Sequence, residues 1–266
     1  GDLTYIPALR PDTSNPRDWQ QAAFWVALTH VADRSASPRF RDAILAKGRA
    51  LGWRLGDRVY HADDHLIGAA WLWASAHGAG PEAIAPMRAQ LDRQLAAPKA
   101  ISLEFPENGS GRPDCTDRWC WCDALFMAPP TLWGLTRATG DPRYAAFADG
   151  EYHATYLFLF DKAEHLFFRD SRFFERRGAH GEKLFWSRGN GWVFSGLARL
   201  IPEIPAKDPR RDAYVALFKK MAARLVALQR PNGYWPPSLL GDPVTAADET
   251  SGTGFYVHGL AWGIKA

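Results

Sequence analysis

Long apolar runs are missing from this sequence. No stretch approaches the roughly 20 consecutive apolar residues that a membrane helix needs, so no span of a bilayer is expected. An N-terminal basic segment followed by an apolar run is missing too, and no secretory signal is read in these residues. Charge of one sign is scarce: 32 Lys and Arg against 29 Asp and Glu leave a net charge of +3. The basic residues are scattered among acidic ones, with no run of the kind that grips nucleic acid. Cysteine is limited to Cys115, Cys120 and Cys122. An odd number argues against a disulfide framework, and the zinc pattern of paired C-x2-C ligands is absent. The three are therefore expected as packing residues, as buried free cysteines usually are.

Tryptophan, by contrast, is abundant, with twelve in 266 residues. The plain reading is a large aromatic core; the functional one is a sugar-binding cleft, where flat indoles stack on the apolar faces of pyranose rings. The two are compatible, because Trp often keeps one edge wet. A hydrophobic share of 47% is ordinary for a globular chain of this length.

One local element recurs: Ser37-Pro38-Arg39-Phe40, Asp141-Pro142-Arg143-Tyr144 and Asp208-Pro209-Arg210-Arg211, with Gly80-Pro81-Glu82 as a looser copy. Each is a cap or breaker, then Pro, then a helix-forming run, and each follows a helical apolar pattern. They mark the turns of helical hairpins. First helices are expected near 18–33, 63–77, 122–138 and 191–203, and second helices near 39–52, 82–96, 143–158 and 209–229. A ninth begins near Thr250, and Leu166-Phe167-Phe168 is the best short strand signal. The expectation is an all-α fold, an α/α barrel in one domain over residues 1–266. Six hairpins need twelve helices, so the reading of nine expects the last helices of the ring to be lacking.

The unusual residues gather in the segments that precede the first helices of the pairs. Asp123 sits among Trp121, Cys122, Leu125, Phe126 and Met127. Apolar surroundings strip water from a carboxylate and raise its pKa, as a general acid near neutral pH requires. A simple helix cap is the alternative. Asp63 and Asp64 open another helix between His61 and His65, where they can cap, favour the positive helix end or contribute to a metal site; no further ligands are assignable. Phe185 to Trp192 includes Trp186, Arg188, Gly189, Asn190 and Gly191: an Arg fork on a tight turn at a helix start, suited to a carboxylate or to a structural acid. Thr250 and Ser251 offer hydroxyls that suit a sugar or a cap.

Together, Trp121-Cys122-Asp123-Ala124-Leu125-Phe126-Met127-Ala128-Pro129-Pro130, Thr139-Gly140-Asp141, Trp186-Ser187-Arg188-Gly189-Asn190-Gly191-Trp192 and Glu249-Thr250-Ser251-Gly252-Thr253 resemble glycoside hydrolase family 105, the unsaturated glucuronyl and rhamnogalacturonyl hydrolases. The resemblance implies a six-hairpin barrel. It also implies removal of a 4,5-unsaturated uronic acid from the non-reducing end of lyase-made oligosaccharides, with no metal and no cofactor. By resemblance Asp123 is the general acid and later base. Asp64 fits the second aspartate better than Asp63, which would hold substrate. Arg188 and Trp192 match residues around the uronate, and Trp186, Trp235 and Trp25 look like wall residues, with Trp121 and Asn190 beside them. One departure stands out: Arg169 occupies a position where many family members carry His.

Two other functions compete: a sugar epimerase of the same architecture, working through histidines, and a non-catalytic carbohydrate-binding remnant. Apart from His61 and His65, the eight histidines do not cluster as an epimerase needs. Bacterial cytoplasm and periplasm are both open.

Overall fold

The computed structural model describes residues 14–106, 113–241 and 247–266. Among them are nine helices of at least seven residues: α1 Trp19–Ala32, α2 Arg39–Ala50, α3 Gly68–Ala74, α4 Ala85–Ala96, α5 Pro129–Thr139, α6 Pro142–Leu159, α7 Ser187–Leu200, α8 Arg211–Ala227 and α9 Thr250–Lys265. A short antiparallel hairpin joins α6 to α7, with β1 Phe160–Asp161 paired to β2 Leu166–Phe167.

The expected turns are present, with local adjustments. Asp141 accepts the Arg143 N–H at 3.0 Å and Pro142 opens α6, while Gly140 closes α5 with a left-handed φ of 75°. α2 begins one residue after Pro38 and α8 two residues after Pro209. The helices expected over 63–77 and 122–138 are each broken. Short turns at Ala62–His65 and Ala124–Met127 precede α3 and α5, and in the second case Pro129 and Pro130 lack the N–H groups a continuous helix needs. α7 starts earlier than expected, so Arg188 and Asn190 belong to its first turn rather than to a preceding loop.

α1, α3, α5, α7 and α9 neighbour one another in order and form the inner wall; α2, α4, α6 and α8 lie outside as the second members of their hairpins. This is the α/α-barrel arrangement. The inner wall closes around aromatic side chains: Trp192 meets Trp19 at 5.9 Å, Phe126 at 4.6 Å and Phe255 at 4.2 Å between ring centroids. Below them Arg199 donates to the Phe126 carbonyl at 3.0 Å and lies over the Phe126 ring, where burial pulls its pKa down to about 10. At the C-terminal ends of the five inner helices the wall leaves a cavity of about 660 Å³.

The cysteines do not behave as expected. Cys115 and Cys120 form a disulfide, their Cα atoms 5.5 Å apart, and only Cys122 is a free, buried thiol. The 3₁₀ turn Asp114–Arg118, followed by Trp119 in the left-handed region (φ 53°), folds the chain back far enough to bring the two together. Spacing alone did not reveal that reversal.

Candidate active site

The N-terminal ends of α3, α5, α7 and α9 bring the sequence-distant segments to one mouth. Asp123 precedes the turn Ala124–Met127, yet its carboxylate makes no capping bond there. Its Oδ1 accepts instead from the Cys122 thiol at 3.3 Å. Burial raises its pKa to about 6, opposed by the Cys122 bond and the charges of Arg169 and Arg188. Asp63 is pushed up to about 8, first by burial and next by the negative charge of Asp123. In this dry setting the charge of Asp123 disfavours ionisation of Asp63.

The structure separates the adjacent aspartates, including Asp64, which was expected as the second site carboxylate. Asp64 is buried and turned to Arg58, whose backbone N–H reaches Oδ2 at 2.7 Å and whose Nε reaches Oδ1 at 2.8 Å, with Nη2 also on Oδ1. Its lone pairs are committed to that fork. Asp63 is the one that feels Asp123. Beside it, His61 Nδ1 lies 3.8 Å from Asp63 Oδ2, and the His61 ring packs on Trp121 at 4.9 Å. His65, fully buried, spends Nε2 on the Val59 carbonyl at 2.9 Å. Among the described residues no three His, Cys, Asp or Glu side chains gather as metal ligands.

Opposite stand the cations. Arg188 lies 4.4 Å over the Trp186 ring, with Nη1 at 3.4 Å from Ser251 Oγ and 3.7 Å from Glu249 Oε1. Glu249 caps α9, accepting from the N–H groups of Ser251 and Gly252 and from the Ser251 hydroxyl. Thr250 is exposed at the start of that helix. Arg169 approaches Trp186 at 5.4 Å, and its carbonyl accepts the Cys122 N–H at 2.9 Å, tying the segment after β2 to the Asp123 turn. Glycine at 189 permits this closeness: a Cβ there would stand 3.0 Å from Cys122 Sγ and 2.8 Å from the Trp186 ring.

Three expected substrate contacts are corrected. Asn190 is fully buried and its amide is consumed by backbone: Oδ1 accepts from Phe167 N–H at 2.8 Å, and Nδ2 donates to the carbonyls of Phe167 at 3.0 Å and Trp186 at 3.1 Å. It holds β2 to α7. Trp235 is buried with Nε1 on the Leu225 carbonyl at 2.8 Å, so it is core. Trp25 packs between Phe24 and Lys47, on the interface of the first hairpin. Trp192 is likewise 96% enclosed by rings, so it shapes the floor beneath the site. The roles of Arg58, Glu249 and the Cys122 thiol were not anticipated; only the acid-and-base makeup of their segments hinted at them.

The sequence profile of Glycosyl Hydrolase Family 88 matches residues 7–266. The chain is 39% identical to the unsaturated 3S-rhamnoglycuronyl hydrolase of Alteromonas sp. (strain LOR), an alignment covering 100% of this chain and 66% of that protein. The chain thus spans just under two thirds of that relative's length. A solved structure described as glycosyl hydrolase family 88 from Bacteroides vulgatus superposes with a TM-score of 0.82 at 22% identity, covering 97% of this chain and 76% of the other. A family 105 glycoside hydrolase of C. acetobutylicum ATCC 824 superposes with a TM-score of 0.74 at 17% identity, covering 98% and 74%. The motifs resemble family 105; the matching profile is that of family 88, and solved structures under both names share the α/α-barrel fold.

Proposed function

Because this chain belongs to Glycosyl Hydrolase Family 88, we propose that it releases a 4,5-unsaturated uronic acid from the non-reducing end of lyase-generated oligosaccharides. The observation that carries the reading is the pair Asp63 and Asp123, both pushed above the usual carboxylate range, with Arg169 and Arg188 acting on Asp123. The name of the Alteromonas relative supports the same class and recommends rhamnose-linked products for the first assays.

In this reading Asp123 delivers its proton to C4 of the double bond, and positive charge develops at C5, shared with the ring oxygen. Asp63 holds sugar hydroxyls. Asp123, now a carboxylate, takes a proton from water as its oxygen bonds to C5. The hemiketal formed at C5 opens to a ketone and leaves a hemiacetal at C1, which collapses to an aldehyde and frees the next sugar as an alcohol. Arg188 supplies the planar fork for the uronate carboxylate, backed by Ser251. Trp121 and Trp186 form the walls.

The Cys115–Cys120 bridge supports work in an oxidising compartment, which favours the periplasm over the cytoplasm. No helix among the described residues is long and apolar enough to cross a membrane. The test is the ultraviolet absorbance of the conjugated double bond in lyase products: it should vanish with wild type and persist with Asp123→Asn, whose amide has no acidic proton to give. Turnover by Asp123→Asn at the wild-type rate would remove Asp123 from the acid role.

A further inference from the structure

Arg188 is loosely held. Among the described residues its one side-chain hydrogen bond, from Nη1 to Ser251 Oγ, is long at 3.4 Å. Its side chain keeps 42% of its surface exposed, against 13% for Glu249, whose Oε1 stands 3.7 Å from the same Nη1. Of this pair the acid is the fixed member and the cation the free one.

Several contacts fix Glu249. Its carboxylate accepts from the Ser251 N–H at 3.2 Å, from the Gly252 N–H and from the Ser251 hydroxyl. Its own N–H donates to the Trp235 carbonyl at 3.0 Å, and the Ser187 N–H donates to the Pro237 carbonyl at 2.8 Å. Trp235 bridges to Glu249 and Ser238 to Trp186, so one short segment clamps the starts of α9 and α7 side by side. The Tyr256 hydroxyl, on the Ser187 carbonyl at 2.6 Å, adds a second tie between the two helices. The fit is close: a Cβ on Gly252 would stand 2.5 Å from Glu249 Oε2 and 2.6 Å from Ser187 Oγ.

A pinned carboxylate beside a loose guanidinium acts as a tether. At 3.7 Å it attracts Arg188 without a hydrogen bond, so the N–H donors that a substrate carboxylate needs stay available. Immobilising a free arginine on binding costs affinity, and a field that narrows its rotamers beforehand reduces that cost.

We infer that Glu249 is a positioning residue: its carboxylate holds Arg188 beside Ser251, in the orientation that receives the substrate carboxylate. The inference rests on the hydrolase reading above and deepens it, because it assigns the preorganisation of that site's cation to a side chain that acts through Arg188 and not on the sugar.

The test is a double-mutant cycle in steady-state kinetics with an unsaturated disaccharide. Glu249→Gln should raise KM by roughly 3- to 5-fold, the upper range for a partly exposed ion pair. Its kcat should stay within about 2-fold of wild type, as expected when only substrate binding is weakened. Glu249→Asp and Glu249→Asn separate charge from capping, since both side chains cap helices well. The Asp variant should keep a KM near wild type and the Asn variant should not. This pair also serves if Glu249→Gln fails to fold. In an Arg188→Gln background the effect of Glu249→Gln on KM should shrink to nearly one. The same KM increase in both backgrounds, or equal KM in the Asp and Asn variants, would reduce Glu249 to a cap of α9 and overturn the inference. If wild type consumes no unsaturated substrate, the hydrolase reading fails instead. The cycle is then read by titration calorimetry with a saturated uronate disaccharide. Glu249→Gln should weaken its binding only where Arg188 is present, and additive losses would count against Glu249.

Discussion

The Cys122 thiol donates to Asp123 Oδ1 across 3.3 Å, a contact between neighbours in the chain. The bond stabilises the ionised form of Asp123 and so lowers its pKa against the larger effect of burial. Cys122→Ala should let that pKa rise.

Activity should fall as pH rises through about 6, where the acid form of Asp123 is lost. Cys122→Ala should move that fall in kcat/KM upward, because the bond that stabilises the carboxylate is gone, while Cys122→Ser, which keeps a donor, should move it less. A profile for Cys122→Ala that coincides with wild type would show that the thiol does not tune Asp123.

Arg188→Lys should raise KM by roughly 10-fold, because a point charge replaces one arm of a bidentate fork worth about 1.5–3 kcal/mol. Its flat stacking on Trp186 is lost as well. Steady-state kinetics with the unsaturated substrate checks this; an unchanged KM would place the carboxylate on Arg169 instead.

Asp64→Asn should lower stability by about 1–3 kcal/mol, since it strips a buried, doubly bonded carboxylate from Arg58. Asp63→Asn should do the opposite above pH 8. The folded pKa of Asp63 is raised, so its stabilising influence is present at low pH and is lost as pH rises through about 8; an amide carries no such charge. Denaturant melts of both variants at pH 6 and pH 9 give the comparison. The loss in kcat/KM should be larger for Asp63→Asn, and the reverse order would return the second-carboxylate role to Asp64.

Reducing the Cys115–Cys120 bridge should cost roughly 2 kcal/mol in the chain-entropy account of a short loop. Because Trp121, Cys122 and Asp123 follow directly, turnover should fall along with stability. Equal melting temperatures with and without reductant would mean that the bridge contributes nothing to the folded state.

The helices and their hairpin turns were legible in the sequence because their causes are local. Pro142 after Asp141, Gly140 before it and the apolar spacing of each run act within one or two turns of chain. Asp123 was legible as well, since its apolar neighbours in sequence are also its neighbours in space. Asp63 and Asp64 were not separable: they are chemically identical, and successive residues on a helix differ by a rotation of about 100° about its axis. That rotation aims one at Asp123 and the other at Arg58, and only packing decides which. Asn190 and Trp235 look like ligand contacts in a string of letters, whereas the tertiary structure hands their polar atoms to the backbone of Phe167 and Leu225. Arg188 and Arg169 likewise meet at the Trp186 ring only in three dimensions, because β1 and β2 return the chain beside the start of α7. Periodicity and caps act through neighbours along the chain, while the partner of a charge or an amide is set by whichever distant backbone the packed helices bring within about 3 Å of it.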